Sequence, residues 1–319
     1  MENKEYLKPI LTLVLIVPFL TELLSGNFTL SKFFIPQALL IFIIIYGLAA
    51  LLIRELAIKW KLGIEGIFIL GLAYGIYNEG ICAKTLLMAE NVPLAKSFGH
   101  YSLFWGINFA WAIAIVVWHS LHAVLYPILI VTLLYPTVHK DSWLNRKWTI
   151  IFTVLVVGLG VLMFFTTPQF QAPVIYLPVF IIVVGLLAFL SKLVPKTYLS
   201  ELPNYNIGIK SAILGFFFIS YILGSTILGG LKAPTFVLYI YAALIIFIFY
   251  KIIKAKKWLS PQALVLFALG NYLADALFLF LEGLKGNNSE KRIAGVIFIL
   301  VFIVAIFKTL KSRISPAPK

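Results

Sequence analysis

Charge is what this sequence has least of. Asp, Glu, Lys and Arg make up 12% of its 319 residues, against about a quarter in soluble domains. The apolar share is 62%, where soluble chains carry about 45–50%. No aqueous fold of this length hides so much apolar surface, so its solvent must be a bilayer. Cysteine is nearly absent: Cys82 stands alone, which excludes an intrachain disulfide framework and a Cys-rich metal site. Four histidines (His100, His119, His122 and His139) leave paired-histidine haem ligation poorly supplied. No Gly-rich phosphate loop or Walker pattern occurs, so nothing indicates nucleotide binding.

Soluble-looking sequence is missing too. The longest hydrophilic stretches, Lys84–Tyr101, Tyr135–Lys147 and Lys192–Lys210, are loops rather than folds. The expectation is an all-α, polytopic membrane bundle whose single transmembrane domain spans residues 1–319. At roughly 20 residues per crossing, apolar runs predict about ten helices. These are Pro9–Leu24, Pro36–Leu56, Leu62–Cys82, Ser102–Tyr135, Thr149–Phe165, Pro173–Leu190, Ile209–Gly229, Thr235–Tyr250, Leu259–Leu281 and Ile293–Phe307. The fourth is over-long and is read as one crossing, either kinked at Pro127 or followed by a surface helix. Lys4 and Lys8 before Ile10–Leu20 have the look of a signal peptide. However, Thr21–Gly26 offers no small-x-small cleavage site, so an uncleaved first helix is expected.

The net charge of +14 would suggest a nucleic-acid partner in a soluble protein. With these spans, 19 of the 26 Lys and Arg residues fall on one side of the membrane. Basic loops stay cytoplasmic. The excess therefore reads as orientation in a cell membrane, with both termini cytoplasmic and no nucleic acid involved. Lys251–Lys257 reads as an inner-face anchor near anionic lipid. Arg54 and Glu55, at the cytoplasmic end of the second helix, are assigned to snorkelling.

Ionisable groups at membrane depth are costly and mark function by default. Glu22, Glu79, His119, His122 and Asp275 qualify. With 1.5 Å of rise per residue, Glu22, Glu79 and Asp275 each lie roughly 7–9 Å outward of the bilayer centre. Three carboxyl groups from three helices thus share one level. Tyr74, Asn78 and Asn271 accompany them and, with Glu22 and Asp275, are expected to bind substrate. His119 and His122, three apart, share one helix face. That spacing suits two ligands on one divalent metal completed by Glu79, or a catalytic histidine with a neighbour. Packing residues held by interhelical hydrogen bonds are the plainer alternative.

The segment Gly71–Lys84 resembles the first motif of the CAAX-protease and bacteriocin-processing (CPBP) family of intramembrane proteases. Tyr74–Gly75 stands for its aromatic–glycine pair, Asn78–Glu79 for its two glutamates, and Lys84, one residue late, for its arginine. Trp118 and His122 match the second motif, an aromatic four residues before a histidine. Asn271 and Asp275 keep the spacing of the third but not its residue types. The resemblance implies Glu79 as the base activating water, and His122 as its support or the oxyanion stabiliser. A membrane-embedded peptide would be the substrate. A second reading is a proton- or cation-coupled transporter of a small molecule using Glu22, Glu79 and Asp275. Ten helices of this length resemble the drug/metabolite transporter architecture, and two five-helix halves give inverted repeats. A third is an assembly subunit without chemistry.

Overall fold

The structure is a computed structural model that describes residues 4–87, 103–166, 171–198, 202, 208–255 and 260–311. Lys96, His100, Ser102, Lys256 and Lys257 lie outside the described residues. Among the described residues the chain is almost wholly helical. α1 (Lys4–Pro18) runs into a π-helical turn, π1 (Phe19–Leu23), and a short α2 (Leu30–Phe33) follows. α3 (Pro36–Phe42), π2 (Ile43–Leu48) and α4 (Ala49–Lys59) form one continuous rod. So do α5 (Ile64–Ile76) with π3 (Tyr77–Cys82), and α6 (Phe109–His119) with π4 (Ser120–Leu125) and α7 (Tyr126–Leu134). The remaining helices are α8 (Arg146–Thr166), α9 (Tyr176–Leu190), α10 (Ile209–Phe217), α11 (Ser220–Gly230), α12 (Thr235–Ala255), α13 (Pro261–Lys285) and α14 (Ser289–Lys311).

Local chemistry sets several starts. Asn108 accepts the Trp111 N–H at 2.9 Å to cap α6. Ser260 caps α13 through the Ala263 N–H at 3.2 Å, and Pro261 occupies the first turn, where its missing N–H costs nothing. A two-residue antiparallel ribbon, β1 (Leu103–Phe104) with β2 (Ile107–Asn108), precedes α6. Its turn, Trp105–Gly106, has positive φ at both positions, as a tight hairpin requires.

Eight helical segments among the described residues are long and apolar enough to cross a membrane. That is two fewer than the ten expected. The third expected span is present as α5–π3, made less apolar by Glu65, Asn78 and Glu79. The sixth is present as α9, only 15 residues long. The over-long fourth segment is one rod, Phe109–Leu134, with 89% of its apolar window buried, so it is the central post of the bundle. Its irregularity falls at π4, just before Pro127, and among the described residues no surface helix follows. α8 and α12 are the outer walls, 17% and 11% buried over the same window. Their exposed Ile, Leu, Val and Phe side chains form an apolar belt that a bilayer would cover.

Arg54 and Glu55 correct the snorkelling expectation. Both are buried, 3% and 6% exposed. The Arg54 guanidinium stacks 3.6 Å from the Trp143 ring centroid and pairs with Glu55 at 2.6 Å. Glu55 also accepts the backbone N–H groups of Trp143 and Leu144 and the Ser142 hydroxyl. The pair clamps the loop after α7 instead of reaching for water, because the loop brings acceptors and donors to both charges.

Candidate functional site

Gly71, Gly75 and Glu79 recur every four residues, one stripe of the α5–π3 rod. A Cβ at Gly71 would collide with Ser120, and one at Gly75 with Val116, so the backbones of α5 and α6–π4 approach as only glycine allows. The same stripe then delivers Glu79 against His119, with 2.6 Å between Oε1 and Nε2. Glu79 Oε2 accepts from the Thr85 hydroxyl, which in turn accepts from Trp111 Nε1 at 3.0 Å. Both carboxylate oxygens are therefore held, and the pair is buried, Glu79 6% and His119 2% exposed.

A second arm reaches Glu22. Asn78 Nδ2 donates to the Tyr46 hydroxyl at 3.0 Å and lies 3.5 Å from His119 Nε2. The Tyr46 hydroxyl donates to Glu22. Tyr46 also stacks on the His119 ring, with 6.0 Å between centroids, while Tyr74 meets that ring edge-on. Side-chain contacts thus run without a break from Glu22 through Tyr46, Asn78 and His119 to Glu79. Nε2 cannot both accept from Asn78 and donate to Glu79; the far shorter 2.6 Å contact is the dominant one, and it needs one proton between Nε2 and the carboxylate.

His122 belongs to a separate pair. Its Nε2 lies 2.8 Å from Asp275 Oδ2, and its ring stacks on Trp118 at 4.7 Å and 8°. Nδ1 lies 3.1 Å from the Trp118 carbonyl, which can only accept. Nδ1 therefore carries a proton, and the Nε2–Oδ2 contact needs one more, as imidazolium with carboxylate or imidazole with carboxylic acid.

Among the described residues, each of the four π turns carries a residue of this network: Glu22 in π1, Tyr46 in π2, Asn78 and Glu79 in π3, His122 in π4. A π turn inserts an extra residue per turn and re-aims the side chains around it, which is why such turns collect at functional sites. In a regular helix His119 and His122 would share a face. With π4 beginning after His119, they serve different helices, His119 the α5–π3 rod and His122 α13.

The pieces border one cavity of about 420 Å³. Glu22, Glu79, His119, Asp275 and Thr85 line it, together with an apolar wall that includes Ile115, Trp118, Ile222, Leu223 and Phe278. It sits at the far end of α1 and beside the first half of α6. Of the eight expected site residues, Glu79, His119, Glu22 and Asp275 meet here. His122 does not line the cavity, because Trp118 lies across its ring. Tyr74 and Asn78 sit behind the wall as supports, Tyr74 donating to the Ile45 carbonyl at 2.7 Å. Asn271 is buried away from it, with no partner for Oδ1 among the described residues. The trio Glu79, His119 and His122 is not gathered as a metal site would need. Among the described residues no group of three His, Cys, Asp or Glu side chains is so placed.

Sequence reasoning misses Tyr46, Thr85 and Trp111. It also misses that His119 rather than His122 is the partner of Glu79. The four-residue spacing of Gly71, Gly75 and Glu79 is the available signal for that partner, since it turns Glu79 towards the helix packed on the glycines.

No curated protein and no solved structure matches the chain. The model of an uncharacterized membrane protein family matches residues 11–316, and the chain belongs to that family.

Proposed function

We propose that this protein is an intramembrane hydrolase in which Glu79 is the general base and His119 its partner. The carrying observation is the 2.6 Å Glu79–His119 pair on the wall of an otherwise largely apolar cavity of about 420 Å³. In the reaction, Glu79 takes a proton from water as the water oxygen bonds to an acyl carbon. The tetrahedral intermediate then collapses, and the leaving nitrogen or oxygen receives that proton. His119, donating from Nε2, positions Glu79 and stabilises the charge that develops. The apolar wall suits a membrane-embedded peptide or acyl substrate. The resemblance to CPBP proteases supports the role of Glu79. His119 takes the part that the resemblance gave to His122. In the same proposal the chain crosses the cell membrane ten times with both termini cytoplasmic, and the cavity lies towards the outer face.

The test uses full-length protein in nanodiscs made from total membrane extract, incubated in ¹⁸O-water. The wild type should yield ¹⁸O-labelled carboxylate products that Glu79→Gln and His119→Ala do not form. Equal labelling in all three would overturn the reading.

Coupled transport is favoured by a different observation: Glu22 and Asp275 border the same cavity as Glu79. On that reading the three carboxylates bind a proton or a cationic small molecule. Cation flux into proteoliposomes that depends on a pH gradient and is lost in Glu22→Gln would favour it, whereas flux indifferent to pH would count against it.

A further inference from the structure

A second cavity, of about 290 Å³, lies at the other end of the bundle, on the face that carries the basic loops. It opens between the end of α4, the start of α5 and the loop after α7. Arg54, Lys61, His139 and Lys140 line it, and among the described residues no carboxylate does. The nearest acids are already engaged. Glu55 holds Arg54 and the Trp143 and Leu144 N–H groups. Glu65 binds Thr197 through its backbone N–H at 3.0 Å and its hydroxyl at 2.5 Å. Asp141 is exposed and outside the lining.

Arg54 is the unusual member. It is 3% exposed, yet its three hydrogen bonds, to Glu55, Val138 O and His139 O, use three of a guanidinium's five donors. A buried Arg braced by an aromatic ring and a carboxylate is a fixed fork of the kind that binds phosphate oxygens. Lys61 and Lys140 stand exposed at the margin, where flexible ammonium groups close on an anion. The rest of the lining is largely apolar and includes Ile58, Ile64, Ile67 and Ile128. Basic groups beside apolar wall at the bundle end describe a headgroup site more closely than a site for a free inorganic ion.

We infer that this cavity binds a phosphate group, with Arg54 as the fixed contact and Lys61 and Lys140 as the closing ones. The two sources of that chemistry are an anionic phospholipid and a water-soluble phosphate. The site does not depend on the chemistry proposed for Glu79.

Native mass spectrometry of the full chain, released from nanodiscs containing phosphatidylglycerol in phosphatidylcholine, tests it. One phosphatidylglycerol should be retained saturably. Its apparent affinity should fall at least tenfold in Lys61→Gln/Lys140→Gln and recover in Lys61→Arg/Lys140→Arg. Lys147→Gln/Lys192→Gln removes equal charge from the same face outside the lining and should retain the lipid. In a second arm, inorganic phosphate is added to pure phosphatidylcholine nanodiscs. Saturable one-to-one phosphate binding without phosphatidylglycerol preference would assign the site to a soluble phosphate and uphold the inference. Equal loss in both double variants, or no saturable binding of either probe, would overturn it.

Discussion

His119 and His122 stand three residues apart on the central helix yet answer to different helices, one to Glu79 at 2.6 Å and the other to Asp275 at 2.8 Å. Their substitutions should therefore separate. His119→Ala is expected to lower turnover by about 10²–10⁴, the usual span for acid–base assistance. His122→Ala leaves Asp275 without its partner and should cost about 1–3 kcal/mol of stability, with the smaller effect on turnover. Hydrolysis rates and thermal unfolding measured on both variants check this, and equal loss of turnover in the two would contradict it.

Glycine positions give a second expectation. Gly71→Ala and Gly75→Ala push a methyl group into the backbone or side chain of α6–π4. Each should cost about 1–3 kcal/mol, as overpacking does, and spread the Glu79–His119 pair. Gly185→Ala on α9 meets nothing within 4 Å and should be neutral or stabilising. Unfolding midpoints in detergent distinguish the three.

Tyr46→Phe removes the hydroxyl shared by Glu22 and Asn78 while keeping the ring against His119. Two buried polar groups lose a partner, at a cost of about 1–3 kcal/mol. Helicity should survive. If hydrolysis and stability both match the wild type, the contacts from Glu22 to Glu79 contribute to neither.

The clamp at the other end predicts a kinetic signature. Glu55→Ala leaves Arg54 buried beside Trp143 without its counter-ion, a change of about 3–5 kcal/mol. It should also free the loop from Tyr135 to Asn145. Limited proteolysis within that loop should accelerate well before the rest of the chain is cut, and unchanged cleavage would argue that the stacking on Trp143 suffices.

Topology can be read with thiols, because Cys82 is the single cysteine and is buried. In a Cys82→Ser background, Lys285→Cys should react with an impermeant maleimide in intact cells. Lys140→Cys should react only after permeabilisation. The reverse pattern would invert the proposed orientation.

Much of this is legible in the residues and some is not. Composition announces the bilayer, and helical rise puts Glu22, Glu79 and Asp275 at one level, which is where the cavity lies. The partner of Glu79 is misread because the resemblance singles out His122 by its spacing from Trp118, whereas the Gly71–Gly75 stripe turns Glu79 towards His119. Tyr46 escapes notice since a tyrosine that follows Ile43, Ile44 and Ile45 looks like packing until its hydroxyl finds Glu22. Arg54 and Glu55 read as water-interface residues because their loop partners, Ser142 to Leu144, are nearly ninety residues away in the chain.

The indole of Trp118 forms part of the cavity wall on one side and covers His122 on the other. Anything that fills the cavity presses on that ring. The chain thereby contains its own optical probe: in a variant whose other tryptophans are replaced, occupancy would be read in the emission of a single residue.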